Sequence, residues 1–300
     1  MQITAKALGM LPYGKVDSDI INKLEWIEVN ERGNEVWWLT GHNAKTNDNC
    51  GRPRYGGCPD SENHAAFTTL DGVNVPAGQQ YVYVGKKSCF KATCPECYES
   101  WSWREAKRIE HRLAHYRGRR NRVIHCAASV PRQLWHIDVE KMRKLSNRIA
   151  KKAGFEGGCV VYHPFREACF ICGEPKTPKA KRCHWCGSNV FRWHYSPHFH
   201  YLGFGWIFEG NKVDDEIVKS GWVFINFGVR ESVFGTAIYE LSHCGVDYSG
   251  KGKHSVRWIG SMAYRALHVP KMEKEVRTCP ICGSDIIPYE YRGVDLDLEH

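Results

Sequence analysis

The segment SPHFHYLGFGW, residues 196–206, places His198 and His200 one residue apart in a run that reads as a strand. Successive strand side chains point to opposite faces, so His198, His200 and Leu202 share one face, with Phe199, Tyr201 and Phe204 expected on the other. Two imidazoles on one face of a rigid strand suit a divalent cation that takes few protein ligands and keeps positions for phosphate oxygens. With 15 histidines in 300 residues such a spacing arises readily by chance, so its company decides its meaning. That company is ESVFGTAIYELSHCG, read as a helix over 231–244, in which Tyr239 and His243 are spaced i, i+4 and lie on one side. A phenol is a poor nucleophile at its ordinary pKa near 10, but a metal that polarises a phosphate, or a neighbouring base, makes its attack feasible.

The cysteines point to a second kind of metal. In CFICGEPKTPKAKRCHWC, Cys169 and Cys172 form one Cys-x-x-Cys knuckle and Cys183 and Cys186 another. A short basic hairpin between them lets four thiolates converge tetrahedrally on one Zn²⁺, and a full ligand set makes that site structural. Lys176, Lys179, Lys181 and Arg182 give the insert a face that could touch DNA. Cys50, Cys58, Cys89, Cys94 and Cys97 form a second group, with five thiols for four places, so one is spare. Cys279 and Cys282 are half a third site, its other ligands coming from the N-terminal cysteine group of residues 1–97 or from beyond residue 297. Cys126 and Cys159 fall within strands and read as small buried hydrophobes, while Cys244 fits either role. Fourteen cysteines, recurring as Cys-x-x-Cys without an export signal, favour zinc over disulfides.

The elements that must position these groups follow from periodicity. Residues 1–97 alternate short strand-like runs such as EVWWLT and QYVYVG with turns. A helix is predicted over 98–117, its apolar stripe formed by Ala106, Ile109, Leu113 and Tyr116 and its basic side by Arg104, Lys107, Arg108 and Arg112. RVIHCAASVP reads as a strand. Asp138 caps a helix with Val139, Met142, Leu145 and Ile149 on one stripe and Gly154 at its end. GCVVYHPF is a second strand, followed by the cysteine insert, the opening strand and a short helix near 213–219. WVFINFGVR is a strand, the 231–244 helix should stop at Gly245, and SVRWIG closes the set. Strands interleaved with helices give an α+β fold with one helical face. The divisions are 1–118, a zinc-containing region with the basic helix; 119–268, a core with the insert at 168–188; and 269–297, a zinc-knuckle segment. Leu298, Glu299 and His300 read as a purification-tag remnant.

The charge of +9 suits a polyanionic partner, and residues 104–122 hold eight Arg and Lys, among them Arg119 and Arg120, against two Glu. Eleven tryptophans offer stacking surfaces for bases. No run of about 18 apolar residues and no signal-peptide pattern is present, which predicts a cytoplasmic protein without a membrane partner.

The ordered series RVIHCAASVP, VVYHPFR, PHFHYLG, TAIYELSH and VRWIG resembles the replication initiators of small archaeal rolling-circle plasmids and viruses. These belong to the wider class of His-hydrophobic-His (HUH) endonucleases, which includes relaxases and some transposases. CPECYESWSWREAKRIEHRL is also similar to the segment preceding the catalytic core of those initiators, and the likeness spans roughly residues 89–268. The resemblance implies a central antiparallel sheet with packed helices. It implies His198 and His200 as ligands of a catalytic Mg²⁺ or Mn²⁺, with His163 or Glu240 as a third, and Tyr239 as the nucleophile. His243 would position the phosphate or assist the tyrosine. The reaction implied is a nick in single-stranded origin DNA, giving a 5′-phosphotyrosine and a free 3′-OH, with rejoining by strand transfer. A host polymerase and helicase are the further partners implied, and this sequence carries no Gly-x-x-x-x-Gly-Lys-Ser/Thr loop of its own. The chain departs from the pattern in having one tyrosine on that helix, with Tyr264 in SMAYRAL as a rival, and in the zinc insert before PHFH. Two other readings stand beside this one: a transposase of the same chemistry, and a non-catalytic zinc-stabilised nucleic-acid-binding protein.

Overall fold

A computed structural model describes residues 26–27, 37–41, 47–70, 72–116, 122–177, 180–206, 217, 219–247, 254–273 and 276–290. Arg119, Arg120, Lys179 and residues 298–300 lie outside the described residues. So does most of the segment 213–219, of which residues 217 and 219 are helical.

The strands are β1 (Trp26–Ile27), β2 (Trp37–Leu39), β3 (Pro53–Gly57), β4 (Phe67–Thr68), β5 (Asn74–Val75), β6 (Val82–Lys86), β7 (Ile124–Ser129), β8 (Phe155–Cys169), β9 (Phe191–Gly205), β10 (Val223–Val229), β11 (Gly245–Asp247), β12 (Val256–Gly260) and β13 (Ile287–Tyr289). The longer helices are α1 (Tyr98–Ala114), α2 (Val139–Lys152) and α3 (Val233–Ser242). The main sheet is antiparallel in the order β10-β7-β9-β8-β12, with β1 pairing the first residues of β9. No helix among the described residues is long and apolar enough to cross a membrane.

Helices cover both faces of this sheet, rather than the single face expected. One face buries Cys126, Ala128, Val160, Tyr162, Phe199 and Tyr201 against α2, which contributes Val139, Met142 and Ala150. Asp138 caps that helix by accepting the Glu140 N–H at 2.8 Å, and Gly154 follows its end at φ 97°. The other face packs Cys159, Val161, Leu202 and Phe204 against Ala106 and Ile109 of α1 and Ala237 and Leu241 of α3. Phe204 therefore shares the face of His198 and His200, because it keeps the even register of that strand. Ser232 caps α3 by accepting the Gly235 N–H at 2.9 Å. Gly245 does not stop α3, which ends at Ser242; it opens β11, where a Cβ would meet Pro164 Cδ at 2.6 Å.

β2 pairs β11, and the Trp37 ring meets Tyr162 edge-on at 4.9 Å. β13 joins β3 and β6 in a separate sheet, so residues 287–289 share a ladder with residues 55–57.

Candidate active site and metal centres

Strand alternation and register bring the histidines together. His198 lies opposite His163 on β8 and Ser129 on β7, and His200 lies opposite Val161 and Ala127. His125, opposite Leu202, falls on the same face one step along. The ring centroids of His163 lie 5.1 Å from His198 and 4.5 Å from His200. Helix α3 crosses this face, so Glu240 enters among the imidazoles: its carboxylate oxygens lie 3.0 Å from His200 Nδ1, 3.3 Å from His163 Nε2 and 3.2 Å from His125 Nε2. His163, His198 and His200 form one set of metal-ligand geometry, and His125, His200 and Glu240 an overlapping one, each with its ligand atoms within 4.8 Å of one another.

The polar atoms here fit a cation. Neither nitrogen of His163 and neither oxygen of Glu240 makes a contact of hydrogen-bond geometry, although both side chains are buried. Groups this costly to bury unpaired are the ones a bound cation satisfies. Burial, reinforced by neighbouring imidazoles and Arg166, holds His163, His198 and His200 well below the ordinary histidine pKa, so the rings are neutral at pH 7. His198 Nδ1 lies 2.8 Å from Ser196 O, which leaves its Nε2 for a metal, while His200 Nδ1 lies 2.9 Å from His125 Nε2 and 3.0 Å from a Glu240 oxygen. His125 plays a different part. Arg230 Nη2 donates to its Nδ1 at 3.0 Å, so the proton sits on Nε2, 2.9 Å from His200 Nδ1.

No family model, curated protein or solved structure matches the chain.

Tyr239 and His243 stand at the rim of the same face. Their rings are 4.9 Å apart, and His243 meets His163 edge-on at 4.5 Å, so the tyrosine is one ring removed from the histidine cluster. Tyr239 is 49% exposed. Partial burial, with the carboxylates of Glu240 and Glu167, raises its pKa above the ordinary tyrosine value, so the resting phenol keeps its proton. His243 is held below the ordinary histidine value, chiefly by burial, and is a neutral imidazole beside that phenol. Arg166, near the edge of β8, donates from Nη2 to Ser129 Oγ at 2.6 Å, with Nε 3.4 Å from His198 Nδ1.

Tyr264 belongs elsewhere. It follows β12, whose Gly260 pairs with Gly157, six residues from His163 along β8. At the rise of an extended strand that puts the end of β12 about 20 Å along β8 from His163. Its ring instead meets the Arg112 guanidinium at 4.7 Å.

Of the basic residues expected to meet phosphate on α1, Arg112 is a correction: it is buried and donates to Met262 O at 3.0 and 2.9 Å and to Leu267 O at 2.8 Å. The turn after β12 presents those carbonyls over α1, where they engage Nε and Nη2 of the guanidinium. Arg108 is exposed and pairs with Glu105 at 2.6 Å, Lys107 lies 3.9 Å over the Trp103 ring, and Arg104 lies 4.6 Å over Phe90.

The cysteines sort into sets that could hold zinc. Cys169, Cys172, Cys183 and Cys186 converge, with Cys169–Cys186 and Cys172–Cys183 sulfurs each 3.5 Å apart. A tetrahedral Zn–S bond of about 2.3 Å sets such pairs at about 3.8 Å, so little adjustment is needed. This set tips the β8–β9 hairpin, about 20 Å along the strand from His163. Cys50, Cys89, Cys94 and Cys97 form the second set and hold the start of α1, where Cys97 is the N-cap residue. The spare thiol of the five is Cys58, which lies with His64, Cys279 and Cys282.

His125, Arg166, Arg230 and His64 were not singled out from the sequence. His125 carried a signal: it sits in a strand of inward-facing apolar residues, where a histidine needs a partner. The others carried none, because their partners are set by chain pairing.

Proposed function

We propose that the protein is a metal-dependent DNA nickase of the HUH kind, a rolling-circle replication initiator with Tyr239 as its nucleophile. The observation that carries this reading is the placement of α3, which sets Tyr239, Glu240 and His243 over the sheet face bearing His163, His198 and His200. His163, His198 and His200 would hold a Mg²⁺ or Mn²⁺, which supplies Lewis-acid polarisation of the scissile phosphate when bound. Glu240 orients His200 and His163 from behind, and Arg230 fixes the tautomer of His125.

In the reaction, Tyr239 Oη loses its proton, with His243 as the neighbouring acceptor, and forms a bond to phosphorus. The P–O3′ bond breaks, the 3′ oxygen takes up a proton, and the 5′ phosphate stays on the tyrosine. Attack by a later 3′-OH reverses these steps and rejoins strands. Arg166 supplies fixed positive charge beside the histidines for the phosphate. The zinc sets serve the fold, and the hairpin tip exposes Lys181, Arg182 and Trp185 as a DNA-contacting surface.

A non-catalytic DNA-binding reading is the alternative, in which Tyr239 keeps its proton beside Glu240 and Glu167 and attacks nothing. A nicking assay separates the two. Wild type with Mn²⁺ is expected to cleave single-stranded origin DNA. Tyr239→Phe and the double variant His198→Ala/His200→Ala are expected to bind DNA without cleaving it. Cleavage by either variant, or none by wild type on its own origin, goes against the assignment.

A further inference from the structure

The sequence holds three copies of Cys-x-x-Cys-Gly: CFICG at 169–173, CHWCG at 183–187 and CPICG at 279–283. Their backbones repeat as well. In each, the glycine N–H donates to the carbonyl of the first cysteine, at 2.8 Å for Gly173, 2.9 Å for Gly187 and 2.8 Å for Gly283. In each, the first cysteine N–H donates to a carbonyl five residues on, Glu174, Ser188 or Ser284, at 2.7–2.8 Å. The glycines lie at φ 71°, 72° and 80°, left-handed values that other residues rarely adopt. The first two knuckles face each other in the four-cysteine set, whereas the third faces no second knuckle.

It faces Cys58 and His64 instead. Cys58 Sγ lies 3.4 Å from Cys282 Sγ and 3.3 Å from His64 Nε2, and Cys279 Sγ lies 3.3 Å from that same nitrogen. The opposite ring nitrogen, Nδ1, lies 2.7 Å from the Gln79 carbonyl, which fixes the proton there and leaves Nε2 as a ligand. Three thiols and one imidazole nitrogen lie within 4.8 Å of one another, with Cys58, His64 and Cys279 buried. Three soft sulfurs and one nitrogen in a closed set select Zn²⁺ in a structural role, and oxygen-loving cations are excluded by the donor types.

We infer that Cys58, His64, Cys279 and Cys282 bind one structural Zn²⁺ that staples the segment 276–290 to the N-terminal region. Cys279 is 215 residues from His64, and β13 pairs β3 beside the site, so the metal closes a long loop that this one three-residue ladder alone holds weakly. This inference is independent of the nicking reading, since it predicts a metal count and not an activity.

The test is zinc content of the full chain, purified without chelator and measured by native mass spectrometry. Cys279→Ser/Cys282→Ser is expected to carry one zinc fewer per chain than wild type, with the other sites filled. Equal zinc content overturns the inference. Alkylation of the wild-type protein gives a second readout that does not depend on the variant folding. Cys282 is only half-buried, so burial does not shield it. In zinc-loaded protein Cys58, Cys279 and Cys282 should resist alkylation and become reactive together on chelation. Ready alkylation of Cys282 before chelation contradicts the site.

Discussion

Glu240 is the hub of the candidate centre, and changing it to Gln separates a metal-supporting role from a purely structural one. The substitution keeps shape and volume and removes the charge from a side chain 2% exposed, with oxygens 3.0–3.3 Å from His125, His163 and His200. In metal-free protein that carboxylate is buried among imidazoles without hydrogen-bond geometry, an arrangement that costs stability. Glu240→Gln without metal is therefore expected to be as stable as wild type or more so. Metal affinity should move the other way, falling about 10- to 100-fold, as expected when a group orienting metal-bound histidines is lost. At Mn²⁺ about 100 times the wild-type Kd, binding stabilises wild type by about 2.7 kcal/mol; for the variant at the same concentration this becomes about 0.4–1.4 kcal/mol. Denaturant unfolding of zinc-loaded protein, with and without Mn²⁺, measures both numbers. A metal-free variant less stable by about 2 kcal/mol, with an unchanged Mn²⁺ increment, would mean that Glu240 serves only to bond the histidines.

Other outcomes follow from the same geometry. The pKa values of His163, His198 and His200 are depressed on folding, so their stability contribution is full above about pH 6.5 and drains as pH falls, when the unfolded chain takes up protons the buried rings refuse. Metal-free protein should show a lower urea midpoint at pH 5.5 than at pH 7.5, with a smaller drop in His163→Gln; equal drops in both proteins count against this. Arg112→Met leaves the Met262 and Leu267 carbonyls without their donor and is expected to cost about 2–5 kcal/mol in denaturant unfolding while sparing DNA cleavage chemistry. A loss below about 0.5 kcal/mol would return Arg112 to the surface role expected of a basic helix face. Arg166→Met should slow single-turnover cleavage about 100-fold with Mn²⁺ affinity unchanged, and an unaltered rate would remove Arg166 from the phosphate site.

Local chemistry was legible in the sequence, and long-range pairing was not. Asp138 and Gly154 bound α2 because caps act over one turn, and the shared face of His198 and His200 follows from alternation within one strand. The same rule applied to Phe204 gives its true face, with Leu202. Glu240 drew notice as a substitute ligand, yet its three imidazole partners come from β7, β8 and β9, whose order no local pattern encodes. His64 shows the limit most clearly, since its cysteine partner Cys279 lies 215 residues away. Helical spacing placed Arg112 with Arg104 and Arg108, but the carbonyls that capture it come from the turn after β12.

The central claim is that Tyr239 carries the broken strand. The direct measurement is peptide mapping by mass spectrometry of the protein after incubation with single-stranded origin DNA and Mn²⁺, followed by nuclease trimming. The account predicts a nucleotide-bearing phosphate on the peptide containing Tyr239 and none on the peptide containing Tyr264. An adduct on Tyr264, or cleavage with no tyrosine adduct, would contradict it.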